Sequence, residues 1–565
     1  MDKTKTAMGG RLLRQWLMAP LLDLRKIQRR QDAIEVLLDP MVREIVRSHL
    51  REVSDIERLA AKLAQEKLNP REMLALANSI YALPKVLDPL RPLVPFQGFL
   101  PKQLPMTLAD EIYEFIEDEP PVSITDGDII RAGVNKDLDE YTNLAKKGRL
   151  AVAEIEESER KNTGITSLKV KYNRVFGYFL EVTHANVSKV PETWIRKQTL
   201  TNSERYITPK LKEFEEKILT ASDKKKALEH EIYLSLRKRL IKYLKELQSL
   251  AKRIAHIDVF AGLAELATSN RYCRPTVNDS RHLSIIAGRH PVIEAMNMEE
   301  PFVPNDVHLA PDSNLMILTG PNMAGKSTIM RQVALISLMT QIGSFVPASK
   351  ANIGICDRIF VRVGASDDLA RGRSTFMVEM GETALILNHA TNRSLIMLDE
   401  IGRGTSTFDG LSIAWAVAEA IHDKINARTI FATHYHELTT LAAKKERINL
   451  MHVSVIEKNG KIVFLRTLQN GGSGKSYGIQ CAKLAGMPRS VVRRANEILK
   501  DLESRSTTDN IDQLNLFSAP AREIEVVPEN LEKIESMLTS LSLDDTTPRE
   551  AISILYRLKD TLSQS

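Results

Sequence analysis

The segment 320–327 has the residue types and spacing of a phosphate-binding loop. Its sequence GPNMAGKS fits the pattern G-x-x-x-x-G-K-S/T, between an apolar run that predicts a strand and a run that predicts a helix. The glycines let backbone N–H groups face phosphate oxygens, and the helix N-terminus adds partial positive charge. We therefore predict a nucleoside triphosphate site, with Lys326 on the β- and γ-phosphates and Ser327 on Mg²⁺. The predicted contacts are Gly320, Pro321, Asn322, Met323, Ala324, Gly325, Lys326, Ser327 and Thr328.

Two carboxylates follow the apolar run 395–398. Asp399 ends this predicted strand, and Glu400 is the next residue. A buried parallel strand would deliver Asp399 to the Mg²⁺ beside the phosphate loop, because ligands bind at the carboxyl ends of such strands. Glu400 would then polarise the attacking water as the general base. Acidic pairs are common on surfaces, but the position of this one, 73 residues after Lys326, favours the functional interpretation.

Two further segments carry side chains suited to a triphosphate. His434 ends the apolar run 429–433, where an imidazole can sense the γ-phosphate or orient water; a structural histidine is the alternative. Ser374 precedes a predicted helix and could cap it, or could contact the γ-phosphate held by a second subunit. The loop 401–407, rich in glycine and hydroxyl groups, suits a close backbone approach to phosphate or across an interface.

The composition is that of a soluble globular protein. The 565 residues are 43% hydrophobic and 27% charged, and the length predicts three or four domains. We find no run of about 18 apolar residues, as a membrane span requires, and no signal-peptide pattern. Three widely spaced cysteines favour free thiols in a reducing compartment. These features predict a cytoplasmic protein.

Hydrophobic spacing divides the chain into segments of different texture. Helical spacing prevails over residues 1–160 and again from 211 to about 268, while residues 161–208 alternate in the manner of strands and hairpins. From 271 to about 505 strands alternate with helices, which predicts an α/β domain with a mainly parallel sheet. The formal net charge of +6 is concentrated, since residues 161–212 carry +7. A polyanion contact and a solvated basic face both explain that segment.

Several motifs together resemble one protein family. TGPNMAGKST, FMVEM, LDEIGRGTST and FATHYHEL are similar to the ATPase motifs of the MutS family of DNA mismatch repair proteins, which are ABC-type ATPases. GRHPVIE before the loop, TLTNSERYITPKLKEFEEKIL and SYGIQCAKLAGMP extend the likeness over nearly the whole chain. Proteins of this family carry two further N-terminal domains that read the mismatch, and we expect this chain to lack them. The tripeptide 115–117 matches the family's mismatch wedge, but we predict it to be part of a charged helix.

The resemblance implies a multidomain fold. It places an all-α core and lever domain at 1–160 and 211–270, with a β-rich DNA clamp inserted at 161–210. An α/β P-loop ATPase domain of ABC type would follow at 271–502, then a linker at 503–528 and a helical oligomerisation tail at 529–565.

The resemblance also implies residue roles. Phe302 would stack on adenine, and Asn322 would contact the γ-phosphate. Ser374 would act in trans across a dimer, and His434 would serve as the switch histidine. Arg466 stands where relatives often have a second adenine-stacking histidine, and a guanidinium can also stack on a base.

Contacts with macromolecules follow from the same resemblance. In the linker, QLNLF is similar to the peptide that docks bacterial proteins on the replicative sliding clamp. Its contact residues would be Gln513, Leu514, Leu516 and Phe517. The expected phosphate contacts to double-stranded DNA are Lys169, Lys171, Asn173, Arg174, Arg196, Lys197, Asn202 and Arg205.

The sequence thus predicts an ATP- and Mg²⁺-dependent, DNA-binding dimer in mismatch repair, associated with the nucleoid. Its partners would be a second copy, a tetramer through the tail, a MutL-type protein and the sliding clamp. One alternative is a family paralogue that binds branched DNA in recombination. Another is the ABC ATPase of a transport or SMC-like machine, although neither FMVEM nor a basic insert fits that hypothesis well.

Overall fold

The computed structural model describes residues 1–173, 177–296, 301–321, 324–364, 375–458, 461–472, 478–500 and 552–555. The chain divides into two compact units, Met1–Ser476 and Tyr477–Ser565. Among the described residues, no helix has the length and apolar character needed to cross a membrane.

The first part of the larger unit is helical. Polar side chains cap several helices: Asp55 accepts from the Arg58 N–H, and Asn69 forms a capping box with Glu72. Their apolar faces share one core with the later helix α9 (Leu244–Asn270). The helices are α1 (Ala7–Met18), α2 (Leu24–Val36), α3 (Pro40–Leu50), α4 (Ile56–Ala64), α5 (Pro70–Leu87) and α6 (Met106–Phe115).

Two long helices flank a small antiparallel sheet, which we call the inserted sheet. Its strand order is β1-β2-β4-β3, and it has a separate core around Leu180 and Tyr206. The Glu156 carboxylate of α7 accepts from the Val170 N–H at 2.7 Å, and Glu215 of α8 accepts from the Tyr178 N–H at 3.1 Å. The elements are α7 (Lys136–Thr163), β1 (Lys169–Asn173), β2 (Gly177–Thr183), β3 (Ile195–Thr199), β4 (Ser203–Ile207), α8 (Pro209–Leu240) and α9 (Leu244–Asn270).

The remainder of the larger unit contains two sheets. In the six-stranded sheet β10-β11-β12-β8-β13-β14, all neighbours are parallel except β13 and β14. The four-stranded sheet β5-β9-β6-β7 is mixed. The elements are β5 (Thr276–Asn278), β6 (Leu283–Gly288), α10 (Pro291–Ala295), β7 (Asn305–Leu309), β8 (Leu315–Thr319), α11 (Lys326–Gln341), β9 (Lys350–Gly354), β10 (Ile359–Arg362), α12 (Thr375–His389), β11 (Leu395–Asp399), α13 (Thr407–Ala420), β12 (Arg428–Ala432), α14 (Thr440–Lys444), β13 (Ile448–Lys458) and β14 (Lys461–Asn470).

In the second unit, α15 (Gly478–Leu484) and residues 489–500 and 552–555 are helical. The predicted linker, and the predicted tail except 552–555, lie outside the described residues.

The predicted helical and strand segments are confirmed, with three corrections. The pattern from 211 to 268 forms two helices, because a 3-10 turn at Ile241–Tyr243 separates α8 from α9. One mainly parallel sheet was expected after 271, but the chain forms the second, mixed sheet as well. Helix α6 ends at Phe115, and Ile116 instead forms a β-bridge with Ile130, so only the first residue of the tripeptide 115–117 is helical.

Candidate nucleotide-binding and hydrolysis site

The phosphate loop joins the buried strand β8 to helix α11. Gly320 and Gly325 have φ angles of 124° and 106°, in the region that favours glycine. Gly325 is the N-cap of α11, so Lys326 is the first helical residue and the helix N-terminus faces the loop. Ala324 directly precedes Gly325, and Thr328 lies in the first turn of α11, whereas Asn322 and Met323 are outside the described residues.

Lys326 is a buried cation, 1% exposed. Its Nζ donates to the carbonyl oxygen of Gly320, which keeps the side chain folded over the loop. Burial lowers the Lys326 pKa, and the negative charges of Glu400 and Asp399 oppose that shift. A negatively charged phosphate bound in the loop would raise the Lys326 pKa further and favour the charged ammonium.

Ser327 and Asp399 meet where the strands end. Oγ of Ser327 donates to Oδ2 of Asp399 at 2.5 Å, although the residues are 72 positions apart. The other carboxylate oxygen, Oδ1 of Asp399, is buried without a hydrogen-bond partner. Burial raises the Asp399 pKa, while the Ser327 hydroxyl lowers it. A hydroxyl and a carboxylate with one unused oxygen fit Mg²⁺, which prefers oxygen ligands.

Glu400 stands at a strained position immediately after β11. Its φ angle is 51°, in the left-handed region that non-glycine residues seldom adopt. Its N–H donates to the carbonyl oxygen of Ala432 at 2.9 Å, which fixes the turn against β12. Its carboxylate lies 2.6 Å from the guanidinium of Arg403. The strain shows that the surrounding structure holds this residue in place.

His434 follows β12 by two residues. The centroid of its ring lies 4.2 Å from the centroid of the Tyr435 ring. Desolvation lowers the His434 pKa, and the Glu400 carboxylate is the main opposing influence. The neutral imidazole is therefore favoured near the proposed general base.

Asn305 links the segment that carries Phe302 to the strand that carries Arg466. The Asn305 amide donates to the carbonyl oxygens of Val303 and Arg466, and its Oδ1 accepts from the Leu468 N–H at 2.7 Å. Arg466 has a φ angle of 57° at this point of β14. These hydrogen bonds, which we call the Asn305 clip, join the segment of Phe302 to that of Arg466 and were not predicted from the sequence.

Helix α12 supplies another residue that sequence reasoning missed. The buried Glu379 accepts from the N–H of Gly402 at 2.6 Å, and its carboxylate also faces Arg362 at 3.7 Å. An acidic residue in the otherwise apolar FMVEM run was the available signal. Ser374, which precedes α12, lies outside the described residues.

The predicted DNA contacts differ in how firmly they are held. Lys171 pairs with Glu181 at 2.6 Å, and Arg196 lies 3.5 Å from Glu204. Arg205 stacks on a phenylalanine ring, 4.4 Å from its centroid, and also donates to Gln198. The exposed members of the set are Lys169, Lys171, Arg196, Lys197 and Asn202; Asn173 and Arg205 are half-buried, and Arg174 lies outside the described residues.

Comparison with known proteins identifies the family. Residues 1–264 match the family model described as MutS domain III, and residues 316–503 match MutS domain V. A third model, the C-terminal region of DNA mismatch repair protein MutS, matches residues 527–561. A DNA mismatch repair protein MutS from Lactobacillus delbrueckii subsp. bulgaricus is 45% identical over all of this chain, which covers 67% of it. The chain belongs to the MutS family.

Two other MutS relatives give similar values. The proteins from Myxococcus xanthus and Alkaliphilus metalliredigens are 48% and 46% identical, over all of this chain in each case. The chain spans 66% of the length of each.

The MutS matches separate the two groups of predicted residues. Lys326, Ser327, Asp399, Glu400 and His434 all fall within the domain V match. The inserted sheet falls within the domain III match. The sliding-clamp peptide of Gln513, Leu514, Leu516 and Phe517 lies outside the described residues and stays a prediction.

Proposed function

We propose that this chain is a DNA-binding ATPase of mismatch repair that works as a dimer with composite ATP sites. The observation that carries the proposal is the convergence of Lys326, Ser327, Asp399 and Glu400 at the carboxyl ends of β8 and β11. Membership of the MutS family supports the choice of ATP and of DNA as ligands.

Each side chain has a separate task at the triphosphate. Lys326 and the loop N–H groups bind the phosphates, and Ser327 and Asp399 would hold Mg²⁺, which would neutralise the charge that develops on the phosphate oxygens. Glu400 accepts the proton of the attacking water, and the neutral His434 orients that water or senses the γ-phosphate. Phe302 and Arg466 form the base-binding side.

The remaining ligands are reached through other segments. Ser374 completes the site of a second copy, and the basic groups of the inserted sheet bind the DNA backbone without reading sequence. We extend the proposal to a MutL-type partner and to the sliding clamp through Gln513, Leu514, Leu516 and Phe517.

Two assays of the purified chain test this function. Phosphate release from ATP should require Mg²⁺ and should stop when EDTA removes it. Binding of double-stranded DNA, followed by fluorescence anisotropy, should weaken steeply between about 50 and about 200 mM salt. A chain that bound DNA but released no phosphate would contradict the ATPase assignment, and the reverse result would contradict the DNA assignment.

A further inference from the structure

Glu379, Gly402 and Tyr435 form a buried chain of hydrogen bonds next to Glu400, which we call the Gly402 lock. The peptide groups of Gly402 are held from two sides. Its N–H donates to Oε1 of Glu379 at 2.6 Å, and its carbonyl oxygen accepts from the hydroxyl of Tyr435 at 3.1 Å. Glu379 and Tyr435 are each 6% exposed, so water does not compete for these bonds.

The packing around the lock admits only small residues. Gly402 has a φ angle of 89°, and a Cβ there would lie 2.4 Å from the carbonyl oxygen of Gly410. A Cβ on Gly410 would lie 2.4 Å from the hydroxyl oxygen of Tyr435. A side chain at Gly410 would therefore displace the Tyr435 hydroxyl, and a side chain at Gly402 would collide with the backbone of Gly410.

The lock joins three segments that surround the hydrolysis site. Gly402 is two residues after the strained Glu400, and Tyr435 directly follows His434. Glu379 lies on α12, where Arg362 of β10 faces its second carboxylate oxygen. Tyr435 is anchored at its own backbone too, since its N–H donates to Oγ1 of Thr433 at 3.0 Å.

The strained backbone at Glu400 needs restraint, and the Gly402 lock supplies part of it. A glutamate with a left-handed backbone conformation persists only where its neighbours fix the backbone on both sides. On one side, the Glu400 N–H is bound to Ala432. On the other side, the lock supplies the restraint through Gly402. Without the Gly402 lock, the segment after Glu400 can relax and the Glu400 carboxylate can change its orientation.

We propose that Glu379 and Tyr435 are positioning residues for ATP hydrolysis, which hold the Glu400 carboxylate in its hydrolytic orientation through the backbone of Gly402. This inference rests on the proposed ATPase function and deepens it. The Glu379 carboxylate and the Tyr435 hydroxyl are both engaged with Gly402, so each should act on turnover and leave nucleotide affinity in place.

Tyr435→Phe removes one hydroxyl and keeps the ring, so it is the sharpest test. We expect kcat to fall about tenfold, the effect of one lost buried hydrogen bond on the aim of the carboxylate. KM and the Kd of a fluorescent ATP analogue should stay within about twofold, since the nucleotide contacts are intact. Tyr81→Phe is the matched control, because its hydroxyl binds Asp110 on the surface of the helical core.

Glu379 allows a rescue experiment. Glu379→Leu removes the acceptor for the Gly402 N–H and should lower kcat at least as much as Tyr435→Phe. Glu379→Gln keeps a carbonyl acceptor and should recover most of that loss. The double variant Glu379→Leu/Tyr435→Phe should lose less than the product of the two single effects, because both act on the backbone of one residue, Gly402.

Three outcomes would overturn the inference while the wild type still hydrolyses ATP. They are an unchanged kcat in Tyr435→Phe, an equal loss of nucleotide affinity and kcat, or no rescue by Glu379→Gln over Glu379→Leu. If a Glu379 variant does not fold, the Tyr435→Phe result decides alone. A wild-type chain without ATPase activity would overturn the proposed function, and the inference with it.

Discussion

Lys326 in the phosphate loop is 1% exposed, whereas Lys169 and Lys197 on the inserted sheet are exposed to solvent. Both regions are proposed to bind phosphate groups. A buried charge acts through a low local dielectric, so a single side chain has a large effect. Exposed charges are screened by salt and act as a set, each with a small share. The difference predicts steep mutational effects in one region and shallow ones in the other.

The largest effect is expected from Lys326→Ala. The variant loses the one buried cation that the loop holds over the triphosphate, so ATP hydrolysis should fall by more than about a hundredfold. Phosphate release measures this, with the exposed Lys350→Ala as the matched control. A Lys326→Ala chain with near wild-type turnover would remove the contrast between the two regions.

Glu400→Gln separates binding from chemistry within the same site. The amide has nearly the same shape but cannot accept the proton, so turnover should fall about a hundredfold or more while ATP still binds. Single-turnover hydrolysis and equilibrium nucleotide binding distinguish the two steps. Glu446→Gln, at an exposed carboxylate, is the control. Normal turnover in Glu400→Gln would show that the base lies elsewhere.

Substitution of two glycines with positive φ tests how tightly the two regions are packed. Gly164 at the C-cap of α7 has a φ angle of 67° with no atom within 4 Å of a Cβ, while Gly402 has both positive φ and a backbone clash. Gly164→Ala should cost about 1 kcal/mol of stability, from backbone strain alone. Gly402→Ala should cost about 1–3 kcal/mol more. Thermal unfolding followed by circular dichroism measures the difference; equal midpoints would show that the loop after Glu400 can yield.

The smallest effects are expected on the inserted sheet. Lys197→Ala should weaken DNA binding a few-fold and lower the slope of log K against log salt concentration by about 1. Lys171→Ala should do less, because Glu181 already neutralises that cation at 2.6 Å. Anisotropy titrations at several salt concentrations measure both. A loss of a hundredfold from either variant would mean that this sheet also depends on single residues.

Local patterns predicted the strands that carry the proposed nucleotide site. The strand before the loop is Leu315–Thr319, and the strand Leu395–Asp399 ends at the first residue of the acidic pair, as the apolar runs predicted. The meeting of Ser327 with Asp399 followed from a rule about parallel strands, and the 2.5 Å hydrogen bond confirms it.

The same patterns did not reveal the Gly402 lock or the Asn305 clip. Glu379 is 23 residues from Gly402, and Tyr435 is 33 residues from it. Asn305 is 163 residues from Leu468. Such pairs depend on how helices and strands pack, and periodicity in one segment carries no information about its distant neighbour.

The sequence by itself determined the order of helices and strands, the phosphate loop and the acidic pair, because each depends on residues close together in the chain. The tertiary structure decided which groups are held and which are available. It buries Lys326, leaves Oδ1 of Asp399 without a partner, holds Gly402 between Glu379 and Tyr435, and pairs Lys171 but exposes Lys197. Burial and pairing arise only when distant segments exclude water from one another, so they appear only in the folded chain.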